Sequence, residues 1–327
     1  MARKWKLRWL ALLALLALLV LVPNGLAYIH ARGMTHFVDS GARTPPPGQM
    51  SLLGKLHVAL LGVSIPHPVN TRTPEDMGLT FETRRFAGEA GDLEAWVIPA
   101  EPARGWILLF HGYAGAKGDL LEIASRFHDL GWATVLTDFR GSGGSQGDRT
   151  TVGWNEGRDV AATVHWAHEA LHEPTPVLYG FSMGAAAVLR AVAVEGIKPR
   201  AVIAEASFDR MLTTVQRRFH MMHLPSWPMA NLLVFWGGLQ NGFDGFAHNP
   251  VDYAARIDCP TLILQGALDD RVAVREAQAI YAALRGYKVL HVFPDAEHEA
   301  SSGASPEDWS AVVTPFLARA AGNPARQ

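Results

Sequence analysis

Gly180-Phe181-Ser182-Met183-Gly184 stands directly behind the apolar run Pro176–Tyr179 and ahead of Ala185-Ala186-Ala187-Val188-Leu189. The order reads as strand, sharp turn, helix. Such a turn crowds the backbone around Ser182, so the flanking positions must lack side chains. It leaves the Ser182 hydroxyl at the carboxyl edge of a sheet and at a helix N-terminus, where developing negative charge is favoured. The five-residue pattern alone is common. A glycine-rich helix start without chemistry is the competing reading, and the strand in front of the motif argues against it.

Outward from this motif the chain alternates between two patterns. Trp106–Phe110 is short and wholly apolar, as a strand buried on both faces must be. Ala133–Thr137, Ala201–Ala204, Thr261–Leu264 and Val289–Val292 are alike. Helical stretches fall between them near 118–130, 155–171, 183–195 and 274–285, with a last one at 306–320. Upstream, Thr80–Phe86 and Leu93–Ile98 predict a hairpin closed near Gly91-Asp92. Strands alternating with helices imply a mostly parallel, doubly wound α/β sheet. Residues 207–252 break the alternation. They hold no clear strand but many apolar residues, among them Phe208, Met211, Phe219, Trp227, Phe235 and Trp236, and read as a helical lid insertion. The expected organisation is a core in two parts, 79–206 and 253–327, around that lid.

Three further loops follow strand ends, where open α/β sheets place their sites. His111-Gly112-Tyr113-Ala114-Gly115 follows Trp106–Phe110, and its backbone can offer a bare N–H. The N–H groups of Tyr113 and Met183 are the expected oxyanion hole, with His111 supporting the loop rather than acting as a base. Gly266-Ala267-Leu268-Asp269-Asp270-Arg271 follows Thr261–Leu264. Asp269 is the expected orienting acid, and Asp270 a solvated or Arg271-paired neighbour. Asp295-Ala296-Glu297-His298-Glu299 follows Val289–Val292. His298 at a loop tip suits an imidazole that moves protons between nucleophile and leaving group, whereas its rival His291 lies inside a strand.

The N-terminus carries Arg3, Lys4, Lys6 and Arg8, then an unbroken apolar run from Trp9 to Val22. Extended past Pro23-Asn24-Gly25 to Ile29, it is about 20 residues, enough at ~1.5 Å per residue to cross a bilayer core. Residues 1–32 therefore read as a signal anchor with Trp9 and Tyr28 at the two interfaces. A signal peptide cleaved near Ala27 is the alternative. Both readings leave the body of the chain outside the cytoplasm, periplasmic or extracellular. Residues 33–78 read as a linker broken at Thr44-Pro45-Pro46-Pro47-Gly48. Within it the apolar stretch 52–65 is expected to pack on the domain rather than on lipid.

Composition sets limits. The 327 residues are 49% apolar and 18% charged, with a net charge of -2. The balance falls to -6 once the four N-terminal cations are set aside, so no basic footprint for nucleic acid exists. The single cysteine, Cys259, excludes an intramolecular disulfide and reads as a small residue entering a strand. His168-Glu169-Ala170-Leu171-His172 matches the zinc-protease pattern His-Glu-x-x-His, with His165 one turn earlier. Its helix ends at once at Glu173-Pro174, at the sheet edge opposite the serine. A solvated helix end explains it better.

Taken together, His111-Gly112, Asp138-Phe139-Arg140-Gly141-Ser142-Gly143-Gly144-Ser145, Gly180–Gly184, Gly266-Ala267-Leu268-Asp269 and His298 resemble the α/β-hydrolase family over about residues 80–320. Ser182, Asp269 and His298 also follow one another in that family's chain order. The anchor, linker and domain layout resembles its membrane-anchored members. The resemblance implies a Ser-His-Asp triad cleaving a carboxylic ester through an acyl-enzyme, with no metal or organic cofactor. The apolar lid implies a small-molecule substrate with an apolar acyl group. It further implies that Asp138 and Arg140 are structural, in the loop after the fourth strand. Tyr113-Ala114 departs from the run of glycines found in many lipases. A peptidase or amidase with the same triad, and a non-catalytic membrane-anchored binding module, are the other two functional classes to set against this reading.

Overall fold

The computed structural model describes residues 2–45 and 49–322. Pro46, Pro47 and Gly48 of the expected break lie outside the described residues, as do Met1 and 323–327. In chain order the elements are α1 (Ala2–Thr35), α2 (Leu52–Leu61), β1 (Glu82–Gly88), β2 (Gly91–Ile98), β3 (Trp106–Phe110), α3 (Leu121–Asp129), β4 (Ala133–Thr137), α4 (Glu156–Leu171), β5 (Val177–Phe181) and α5 (Met183–Val194). They continue with β6 (Ala201–Glu205), α6 (Met211–Met221), α7 (Met229–Gln240), α8 (Pro250–Ala254), β7 (Thr261–Gly266), α9 (Val274–Ala283), β8 (Lys288–Phe293), α10 (Ser301–Ala304) and α11 (Pro306–Gly322).

The eight strands form one sheet in the order β1-β2-β4-β3-β5-β6-β7-β8. β2 pairs antiparallel with both β1 and β4, and the strands β4, β3, β5, β6, β7 and β8 are mutually parallel. β4, β6 and β7 are buried along their length because helices cover both faces, whereas β8, expected to be alike, stands at the sheet edge and is only half-buried up to Phe293. In β3, Leu108 and Phe110 face one layer while Ile107 and Leu109 face the other, as the two-residue period of a strand requires. One layer lies against α4, α5, α8 and α9. The other is closed by α3 and α11, with Phe127, Tyr179 and Trp309 in edge-to-face contact. This sheet order sets β5 at the centre, with β6, β7 and β8 in sequence beside it, so the loops after β5, β7 and β8 open on one edge.

Three N-terminal features differ from the expectations above. First, α1 runs through Pro23-Asn24-Gly25 and past the expected end of the anchor to Thr35. Its second half packs into the body: Ala27 and Ala31 are buried with Leu233, against Phe219, Met229 and Trp236. Tyr28, expected at a membrane interface, stands edge-to-face on Trp236 at 5.4 Å. Secondly, α2 does not pack on the sheet domain. None of its residues is buried, and Leu52 is 83% exposed. The chain is pinched where the excursion leaves and returns, with Thr44 N donating to Ser64 O at 3.0 Å and Ser64 N to Thr44 Oγ1 at 2.8 Å. The helix therefore projects from the domain beside α1, where His30 Nε2 lies 3.1 Å from Ala59 O. Thirdly, the rest of the 33–78 segment is strapped down. Phe37 N donates to Asp148 O at 2.7 Å, and Asn70 bridges Gly118 N and the buried Asp138 carboxylate.

Candidate active site

β5 ends at Phe181 and α5 begins at Met183, leaving Ser182 alone to turn the chain. Its φ of 54° and ψ of -114° lie in a region that L-residues rarely adopt, a strain of about 1–3 kcal/mol that the surrounding packing must hold. Ser182 N–H donates to Glu205 O at 2.8 Å, fixing the turn to β6. The two glycines follow from distances. A Cβ on Gly180 falls 2.5 Å from the Gly184 carbonyl carbon, and one on Gly184 falls 2.2 Å from Phe110 O. The helix start is thus pressed against the end of β3, where no side chain fits.

The structure brings the three expected catalytic residues together. His298 Nε2 lies 3.1 Å from Ser182 Oγ, and His298 Nδ1 lies 2.7 Å from Asp269 Oδ2. Asp269 is buried, and its other oxygen accepts the N–H groups of Arg271 and Val272, each at 2.8 Å. Burial pushes the Asp269 carboxyl up. The His298 hydrogen bond and charge, with those two backbone N–H groups, outweigh it and hold the carboxyl below its ordinary value. Asp270 is exposed, so the two neighbouring carboxylates differ as expected. Phe181 leans on the His298 ring at 5.3 Å. His291, the rival base, lies on β8 and hydrogen-bonds Asp308 at 2.9 Å.

Met183 is the first residue of α5, and Tyr113 lies in the loop after β3. That loop abuts the serine turn: a Cβ on Gly112 falls 3.6 Å from Ser182 Cβ. Neither amide N–H hydrogen-bonds another group among the described residues. The Tyr113 hydroxyl donates to Met34 O in the last turn of α1. His111 is buried, accepting Phe139 N–H at 3.1 Å on Nε2, and burial pushes its imidazole pKa down. It supports the loop. Asp138 pairs with the buried Lys117, and Arg140 with Asp159, in the loop after β4. His172 caps α4 with a left-handed φ of 54°. The i,i+4 face needed by the zinc-protease pattern is therefore not maintained. The Cys259 thiol, half-buried before β7, is pushed up to about 11 by burial.

Two polar residues beside the site were not singled out in the sequence. Glu205 ends β6, fully buried, and accepts Tyr179 OH at 2.6 Å, Ser301 N–H at 2.6 Å and the Ser301 hydroxyl. It ties the segment after His298 to the sheet. Gln265, near the end of β7, donates to Asp269 Oδ2 at 3.1 Å. Each is a polar residue closing an otherwise apolar strand, which was the available signal.

Comparison with known proteins gives a consistent picture. Residues 101–241 match the family model described as serine aminopeptidase S33, and residues 246–324 match that of PhoPQ-activated pathogenicity-related protein. The Bacillus subtilis protein YqkD is 27% identical over 231 residues, covering 69% of this chain and 75% of its own length. Escherichia coli YfhR is 25% identical over 229 residues, 66% of this chain and 73% of its own. Among solved structures, an esterase of Pyrococcus furiosus superposes with a TM-score of 0.66 at 25% identity, covering 78% of this chain and 96% of that one. Est1E of Butyrivibrio proteoclasticus, solved with ferulic acid bound, shares the fold at a TM-score of 0.57 and 17% identity, over 73% of this chain and all of that one. On its eight-stranded sheet, its serine turn and these matches, the chain belongs to the α/β-hydrolase superfamily.

Proposed function

We propose that the protein is a serine hydrolase that cleaves carboxylic esters through an acyl-enzyme. The observation that carries this reading is the unbroken relay from Ser182 Oγ through His298 to Asp269, at 3.1 and 2.7 Å. Ser182 Oγ attacks the carbonyl carbon while His298 Nε2 takes its proton. Asp269 holds the proton on Nδ1 and stabilises the imidazolium. The N–H groups of Tyr113 and Met183 receive the oxyanion, a donation worth about 10²–10³ in turnover per donor. His298 then protonates the leaving alkoxide. Water, deprotonated by His298, attacks the acyl-serine, and the acid leaves as Ser182 regains its proton. The helices inserted within 207–252 act as the lid over this edge, and their Met, Trp and Phe content favours an apolar acyl group.

Residues 4–22 of α1 serve as a membrane tether retained in the mature protein. The burial of Ala27 within the packed half of α1 supports retention, because cleavage there would cut a helix that belongs to the body. This reading places the catalytic domain outside the cytoplasm. The description of the matching family favours one second reading, an aminopeptidase using the same triad.

The deciding experiment uses the full chain in detergent micelles with p-nitrophenyl esters of increasing acyl length and aminoacyl p-nitroanilides, each with Ser182→Ala alongside. Ester turnover abolished by Ser182→Ala is expected. Turnover of anilides only would transfer the assignment to the peptidase. Equal inactivity of both folded proteins on every substrate would remove it.

A further inference from the structure

α1 changes character at Pro23. Every residue from Lys4 to Val22 is exposed, and the stretch is strongly apolar. At ~1.5 Å per residue it is about 28 Å long, close to the ~30 Å hydrocarbon thickness of a bilayer. From Asn24 onward the helix is held by α7. Trp236 Nε1 donates to Asn24 Oδ1 at 3.1 Å, and Gln240 Nε2 donates to Tyr28 O at 3.0 Å. These bonds fix the height of α7 relative to the apolar stretch. Its Trp236–Gln240 segment lies level with the first turns beyond Val22, at the depth where headgroups begin. Phe235 and Leu239, on the same segment, are exposed there. At the turn between α6 and α7, Met221, Met222, Leu224 and Trp227 are exposed as well, Trp227 to 76%.

Charge is sorted the same way. Residues 210–243 contain Arg210, Arg217 and Arg218 and no carboxylate. Residues 23–74, which follow the apolar stretch, contain Arg32, Arg43, Lys55 and Arg72 against Asp39 alone, while residues 75–327 have 21 Lys and Arg against 30 Asp and Glu. The elements that flank the emerging helix are therefore cationic, on a chain that is otherwise acidic. Aromatic and aliphatic side chains among cations, at the end of an apolar helix, match the interface of an anionic bilayer.

We infer that the outer face of α7, carrying Phe235 and Leu239, together with the α6–α7 turn, docks on the anionic lipid bilayer that holds α1. This rests on the reading of α1 as a membrane span. It identifies the substrate as a bilayer-resident acyl ester. Met34 O, which receives the Tyr113 hydroxyl, lies twelve residues past Val22, about 18 Å along the helix. The oxyanion loop is thereby held at a fixed short height above the lipid.

The test uses the full chain in a Cys259→Ser background, with Leu15→Cys, Phe235→Cys, Leu239→Cys or Glu169→Cys labelled with a nitrobenzoxadiazole fluorophore. Each is reconstituted in vesicles of phosphatidylcholine, with or without phosphatidylglycerol, containing headgroup-proximal spin-labelled lipid. Ester turnover reports that each variant is folded. Quenching at Leu15→Cys, Phe235→Cys and Leu239→Cys, several-fold above Glu169→Cys on α4, is the expected result, with that at Phe235→Cys and Leu239→Cys weakening when phosphatidylglycerol is omitted. Quenching at Leu15→Cys alone would overturn the docking while leaving the span intact. No quenching at Leu15→Cys would remove the span and the docking with it. Equal quenching of the α7 positions in both lipids would overturn the anionic assignment.

Discussion

Asp269→Asn tests the proposed relay most sharply, because the surroundings dictate how the new amide must sit. Asp269 Oδ1 accepts two backbone N–H groups, from Arg271 and Val272, and Oδ2 faces His298 Nδ1. An asparagine that keeps its oxygen on the two N–H groups must turn its NH₂ toward His298. Nδ1 then becomes the acceptor, the ring proton moves to Nε2, and Nε2 can no longer take the proton of Ser182 Oγ. The opposite rotamer rescues the tautomer but points NH₂ at two N–H donors. That strands two buried donors, against one, Gln265 Nε2, in the first arrangement, so the net cost is about 1–3 kcal/mol. At about 1.4 kcal/mol per tenfold, the productive arrangement is depopulated by about 10 to 10², and the lost carboxylate charge facing the imidazolium adds to this. The expected loss of kcat is therefore at least about 10–10², read from initial rates on p-nitrophenyl acetate at neutral pH, with KM little changed. Asp270→Asn, at an exposed position, should stay within a few-fold of wild type. An Asp269→Asn enzyme keeping more than about a tenth of kcat, or an Asp270→Asn enzyme equally impaired, would refute the assignment. Stability supplies a second readout. The Asp269 carboxyl is lowered in the fold, so its contribution is present above the ordinary carboxylate range and lost as pH falls through the lowered folded value. The asparagine variant should lack that acid-side loss in urea midpoints measured against pH.

Two other substitutions probe the support of the site. Glu205→Gln can keep its oxygen on Ser301 and turn its amide to the Tyr179 hydroxyl, so it should fold and lose activity several-fold, whereas Glu205→Ala strands three donors and should cost about 3–5 kcal/mol in urea unfolding. An alanine variant as stable as wild type would contradict the clamp. His248 is pushed down to about 4 by burial, between Tyr253 OH at 3.0 Å and Val152 O at 2.9 Å. The fold therefore holds it neutral. Its contribution is full above the unfolded value near 6.5 and fades as pH falls toward 4, by about 3 kcal/mol in all. His248→Gln should be less stable at neutral pH yet show a flatter midpoint through that window, and parallel curves for the two proteins would exclude the effect.

The parts of the molecule readable in advance are those governed by local rules. β3 and β4 have the expected ends because an apolar run bounded by turn residues has few other uses. The serine turn was legible because its glycines are a steric necessity, visible here as 2.2 and 2.5 Å clashes. Asp269 and His298 followed from position, each just past a strand end. The misread features depend on partners distant in sequence. The second half of α1 reads as the end of a membrane anchor, yet it packs on α7, more than 200 residues later. α2 looks like a helix that needs a core, but the hydrogen bonds that pinch its excursion between Thr44 and Ser64 carry no hydropathy signal. Glu205 gains its role from Ser301, 96 residues on.

The bond between Asn24 and Trp236 joins residues 212 apart in sequence, which sets an order of events during synthesis. Chains elongate at about 5–20 residues per second, so α1 waits about 10–40 s after emergence before α7 exists. Throughout that interval the Ala27–Ala31 seam has no partner, because the oldest segment of the nascent chain must wait for one made more than 200 residues later. Closure of this seam is therefore a late event in the maturation of the fold, however early α1 itself forms.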